Sequence, residues 1–80
     1  MKIKLLGTHT CQHCKLAVRY MTEKNIPFTE VFVEDPEGQK LAIENNVAQV
    51  PVLFVEKDDG TKEIVRNRAG EALAYLKAIA

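Results

Sequence analysis

The chain has no net charge: eleven lysine and arginine residues balance eleven aspartate and glutamate residues. That balance excludes a general nucleic-acid binder, which needs a basic patch or stripe, and offers no surface built for anionic membranes. No apolar run approaches the roughly 20 residues of a membrane helix. Internal repeats, low-complexity tracts and linkers are absent too. Met1-Lys2-Ile3-Lys4-Leu5-Leu6 starts basic but leads into Gly7 and threonines rather than a long apolar stretch, so no secretory signal is expected. The expected location is cytoplasmic, with neither nucleic acid nor membrane as a partner. Cysteine is scarce as well, with only Cys11 and Cys14. Where thiols are kept reduced, such a pair points to catalysis or metal binding rather than to a structural staple.

What is present fits one soluble domain over residues 1–80, apolar in 46% and charged in 28% of its residues. A chain this short builds a modest core. Residues 2–6 alternate and suggest a first strand. A helix is predicted from near Cys11 to about Lys24, with Leu16, Ala17, Tyr20 and Met21 inward, and Asn25-Ile26-Pro27 stops it. Phe28 to Val33 is β-branched and aromatic, and its Val31-Phe32-Val33 run suits a buried strand. Asp35-Pro36 looks like an N-cap followed by a proline at the first helical position. The helix it opens covers about 37–45, with Leu41 and Ala42 inward, and ends at Asn45-Asn46. Val52 to Val55 reads as a central strand, Lys57-Asp58-Asp59-Gly60 as a hairpin turn and residues 62–66 as the return strand. Ala69, Ala72, Leu73, Leu76 and Ile79 define one face of a last helix. The order is β-α-β-α-β-β-α, an α/β fold with a mixed four-stranded sheet flanked by helices. Its first two strands are parallel through a right-handed crossover, and its last two form a hairpin.

The chemistry lies in Thr10-Cys11-Gln12-His13-Cys14-Lys15. Disulfide exchange needs one thiolate to attack and a second thiol to release the mixed disulfide. Two intervening residues, wound into a first helical turn, keep both sulfurs close. The first sulfur then sits where unpaired N–H groups and the helix dipole favour negative charge, which makes Cys11 the expected nucleophile. Cys14, one turn in, is shielded and becomes the resolving thiol. Thr10, His13 and Lys15 are candidate modulators. A charged His13 would stabilise the Cys11 thiolate and make the protein more oxidising, although it also reads as a solvent-facing residue, and Lys15 as a surface charge. His9 and Gln12 read as surface. The pair Val50-Pro51 precedes the third strand. If that strand runs antiparallel to the first, its start lies beside the end of the first, next to Cys11. A cis bond there would turn the Val50 backbone towards an extended substrate, but the residues leave the isomer open.

Together these features resemble glutaredoxins and small glutaredoxin-like thioredoxins of the thioredoxin superfamily. The features that carry the resemblance are the Thr-Cys-x-x-Cys-Lys motif after strand one, Val50-Pro51 before an apolar strand, and the element order along essentially the whole chain. The resemblance implies a dithiol–disulfide oxidoreductase with Cys11 as nucleophile, Cys14 as resolving cysteine, Pro51 as a cis-proline and the Val50 backbone pairing with substrate. It implies protein or small-molecule disulfides as substrates, a monomer, no tightly bound cofactor and no metal. The electron donor is glutathione or a thioredoxin-reductase-type flavoprotein. The chain departs from thioredoxins in having no tryptophan. It departs from glutaredoxins at Thr8, Gln49 and the Asn67-Arg68-Ala69-Gly70-Glu71 segment, leaving Lys15, Lys40 and Arg68 as possible cations for glutathione. Two alternatives remain. One is a Cys-x-x-Cys metal carrier, whose known domains have the order β-α-β-β-α-β. The other is an iron–sulfur-binding glutaredoxin-like dimer using Cys11 and glutathione thiolates.

Overall fold

Ile3 and Leu5 are buried on one side of the first strand and Leu6 on the other, so this strand is covered on both faces. A computed structural model describes residues 1–66 and 70–79. Its elements are β1 (Lys2–Gly7), α1 (Gln12–Glu23), β2 (Thr29–Phe32), α2 (Pro36–Glu44), β3 (Val52–Glu56), β4 (Lys62–Arg66) and α3 (Glu71–Ile79). The order β-α-β-α-β-β-α is the one read from the sequence, and it differs from that of the metal-carrier domains. The sheet runs β2-β1-β3-β4. Strands β1 and β2 are parallel, and the other two pairings are antiparallel. Among the described residues, no helix is long and apolar enough to cross a membrane. Asn67, Arg68 and Ala69 lie outside the described residues, and with them one possible glutathione-binding cation and the first apolar position of the last helix.

Helices α1 and α3 pack together on one face of the sheet, over Ile3, Leu5, Leu53, Val55 and Val65. Helix α2 covers part of the other face, where Leu6, Val31 and Val52 are buried. Leu5, Leu6, Met21, Leu53 and Leu76 are fully buried, each contributing about 1.5–3 kcal/mol of transfer free energy. Both α1 and α2 end on an asparagine with positive φ, Asn25 at 57° and Asn46 at 52°. In each case the next residue's N–H reaches back into the last turn: Ile26 to the Met21 carbonyl and Val47 to the Ala42 carbonyl, both at 2.9 Å. These are Schellman caps with asparagine in the left-handed position that glycine more often takes. Asp35 occupies the N-cap of α2 with Pro36 behind it, but its side chain makes no capping bond.

Three expectations need correction. Leu16 is 47% exposed rather than inward, because the buried stripe of α1 runs through Cys14, Ala17 and Met21. Cys14 takes the core-facing position of the first turn, which rotates Leu16 towards solvent. In β2 only Val31 is buried, with Phe32 and the Val33 that follows the strand half-buried, since β2 is an edge strand. Ile79, the last residue of α3, is 38% exposed, while Ala72 and Leu76 carry the burial of that helix.

Candidate active site

The loop from Thr8 to Thr10 carries the chain from the end of β1 to the start of α1. It closes as a turn, with the Cys11 N–H donating to the Thr8 carbonyl at 3.4 Å. The His9 N–H donates to Glu34 Oε2 at 3.2 Å. Its imidazole stacks on Phe32, with centroids 3.8 Å apart and planes 12° from parallel. His9 therefore anchors the loop, a role the sequence did not disclose. Its partner Phe32 comes from the far end of β2 and is brought close only by the register that pairs Gly7 with Phe32.

Cys11 is the N-cap of α1, with φ −82° and ψ 117°. Its sulfur accepts the Cys14 N–H at 3.1 Å, taking the place of a capping serine or aspartate oxygen. The Cys11 thiol lies 3.9 Å from the Val50 carbonyl oxygen. Both cysteines are free thiols, Cys11 half-buried and Cys14 at 1% exposure. Burial above all pushes the Cys14 thiol up from 9.0 to about 12. Its hydrogen bond with the Cys11 side chain and the negative charges of Cys11 and Glu30 act in the same direction, and a hydrogen bond from the Thr8 backbone opposes them.

Cys14 is seated against β1 at Gly7. A β-carbon on Gly7 would fall 2.7 Å from Cys14 Sγ and 3.1 Å from Cys14 Cβ. The bare glycine is what lets the second sulfur pack beneath the end of the strand, and the sequence motif contains no hint of it.

Strand β3 runs antiparallel to β1, with Val52 opposite Leu6, so the start of β3 lies at the end of β1. The Val50–Pro51 bond is cis, the isomer the resemblance implies, and Pro51 is fully buried. The fold thus gathers Cys11, Cys14, Val50 and Pro51 at one end of the sheet. Thr10, His13 and Lys15 are exposed around them, and Lys40 is exposed on α2. Among the described residues, the side chains of Thr10, His13 and Lys15 make no hydrogen bond or ion pair. Also among the described residues, no group of three or more histidine, cysteine, aspartate or glutamate side chains is placed to hold a metal ion.

Comparison with known proteins places the chain. The family model described as Glutaredoxin matches residues 3–59. The crystal structure of the thioredoxin-like protein BC3987 superposes with a TM-score of 0.73 at 19% identity, covering 98% of this chain and 99% of that one. The solution structure of a thioredoxin from Thermus thermophilus does so with a TM-score of 0.59 at 22% identity, covering 98% of this chain and 69% of that one. None of the curated proteins matches. These two structures share the fold, and the family match spans β1 through β3 with both cysteines and the Val50-Pro51 pair inside it. The chain therefore belongs to the glutaredoxin family, within the thioredoxin superfamily.

Proposed function

We propose that the protein is a dithiol–disulfide oxidoreductase that reduces protein or small-molecule disulfides through Cys11 and Cys14. The observation that carries this reading is the Cys11 sulfur at a helix N-cap, 3.1 Å from the Cys14 amide and 3.9 Å from the Val50 carbonyl. A thiolate there is held by a backbone N–H and by the positive end of the α1 dipole. An extended substrate chain would pair with the Val50 backbone and so bring its disulfide onto that sulfur.

The Cys11 thiolate attacks one substrate sulfur; the S–S bond breaks and the other sulfur leaves as a thiolate. Cys11 is then in a mixed disulfide and carries no charge. Two of the causes that hold the Cys14 thiol high, its hydrogen bond with Cys11 and the Cys11 charge, are thereby removed. Cys14 gives its proton to the departed thiolate and attacks Cys11 Sγ. The second substrate thiolate leaves and takes a proton from water. Two electrons have passed to the substrate, and the protein holds a Cys11–Cys14 disulfide. They are restored by two thiols of glutathione or by a thioredoxin-reductase-type flavoprotein. In this reading the protein works as a cytoplasmic monomer with no resident cofactor.

Reduction of insulin disulfides, followed with each donor in turn, tests the proposal. Wild type should reduce insulin with at least one donor, the Cys11→Ser variant should be inactive, and Cys14→Ser should stall as a mixed disulfide. Activity surviving in Cys11→Ser would overturn it.

A further inference from the structure

Arg66, the last residue of β4, pairs with Val52, the first residue of β3. Alternation puts Val65 in the core beneath α1 and α3 and turns Arg66 to the face that carries α2. There its guanidinium donates to two backbone carbonyls just past the end of α2. Nη2 reaches the Asn45 oxygen at 2.8 Å and Nη1 the Asn46 oxygen at 3.4 Å. Those carbonyls are left without helical partners, and they lie at the negative end of the helix dipole. A planar fork of donors suits two adjacent acceptors better than a single ammonium does.

The residues between these anchors, 47–51, are the segment that presents Val50 to Cys11. Arg66 holds both of its ends, through its side chain at Asn45 and Asn46 and through strand register at Val52. Val47 is tied back to Ala42, but among the described residues no backbone–backbone hydrogen bond holds Ala48, Gln49 or Val50, and the Val50 carbonyl meets the Cys11 thiol at 3.9 Å. The Arg66 side chain is therefore one of the fastenings of the segment that ends on Pro51.

We infer that Arg66 is a positioning residue for substrate recognition: its clamp on the end of α2 fixes the height of the Val50 backbone relative to the Cys11 sulfur. The inference rests on the proposed pairing of an extended substrate with Val50. Among the described residues the guanidinium's hydrogen bonds go to Asn45 and Asn46 and none to either cysteine, so Arg66 acts through the loop. Losing it should weaken the binding of an extended chain and spare the reaction with a small disulfide that does not need the loop.

The test compares wild type, Arg66→Met and Arg66→Lys against a disulfide-bonded peptide and against neutral dipyridyl disulfide. Methionine keeps an unbranched stem without the donors. Arg66→Met should raise KM for the peptide by about 5- to 10-fold, as expected for losing hydrogen bonds of this kind, with kcat and the dipyridyl disulfide rate moving less than about twofold. Arg66→Lys, with the charge but not the fork, should fall between. Equal loss on both substrates, no loss on either, or full rescue by lysine would overturn the clamp. Amide hydrogen exchange reads the loop without reference to activity. Arg66→Met should speed exchange at Asn46 and Val47 by a similar factor and leave the middle of α1 unchanged. Unaltered exchange at those amides would overturn the inference even in an active enzyme. Wild type inactive on both substrates would instead refute the oxidoreductase reading, and with it the role assigned to Val50.

Discussion

Replacing Gly7 by alanine tests how Cys14 is seated. The added carbon would lie 2.7 Å from Cys14 Sγ, and ordinary contact begins near 3.4 Å, so the sulfur or the strand must retreat by roughly 0.7 Å. Cys14 has little room to do so, being 1% exposed in the first turn of α1. Overpacking of this kind costs about 1–3 kcal/mol. Gly7 does not have a positive φ, so its backbone tolerates alanine, and the lower entropy of the unfolded chain returns about 0.4–1 kcal/mol. The net expectation is a loss of about 1–2 kcal/mol, or a melting temperature lower by about 4–8 °C for each kcal/mol. Urea unfolding of the reduced protein measures it. The decisive arm is a double-mutant cycle with Cys14→Ala, which removes the sulfur and leaves only the contact with Cβ at 3.1 Å. In that background Gly7→Ala should be near neutral, giving a coupling of about 1–2 kcal/mol. If alanine at position 7 costs as much without the sulfur as with it, the steric account of the Cys14 seat is wrong.

Other outcomes follow from the same geometry. With its thiol pushed up to about 12, Cys14 stays protonated at pH 7; iodoacetamide followed by peptide mapping should modify Cys11 long before Cys14, and comparable rates would count against the assignment. A raised folded-state pKa means that the folded protein keeps a proton the unfolded chain has lost, so the Cys14 contribution to stability is complete below pH 9 and declines as pH rises towards 12. Anaerobic unfolding of the reduced protein should show this decline, and Cys14→Ala should lack it. Gly38 lies in α2, where a β-carbon would fall 1.8 Å from the Phe32 carbonyl oxygen; Gly38→Ala should therefore lose about 3 kcal/mol, although the same change in an unobstructed helix gains about 1 kcal/mol, and a stabilised variant would mean that α2 sits further from β2. Finally, His13→Ala should lower the reduction potential of the cysteine pair by on the order of 30 mV, equivalent to about 1.4 kcal/mol, in equilibrium with glutathione buffers. An unchanged or higher potential would make His13 a solvent-facing residue only.

The features legible in the sequence are those that local physics decides. Period-two alternation marked β1, the apolar run of Val52 to Val55 marked a central strand, and Asn25 and Asn46 sit where the left-handed caps of two helices fall. Cys11 and Cys14 were visible because a helical turn brings residues three apart together whatever surrounds them. Their meeting with Val50 and Pro51 was also within reach, since an antiparallel third strand must start where the first ends. The tertiary structure decided what depends on neighbours far away in the chain. The seat of Cys14 against Gly7, the stack of His9 on Phe32 and the grip of Arg66 on Asn45 and Asn46 each join residues from different elements. Each depends on strand register and on the depth of a docked helix. The same is true of Leu16, which fits an apolar stripe by spacing but faces solvent because Cys14 takes the inward position. The strength of the Cys14 proton is a tertiary property as well, because desolvation by surrounding elements is its largest cause.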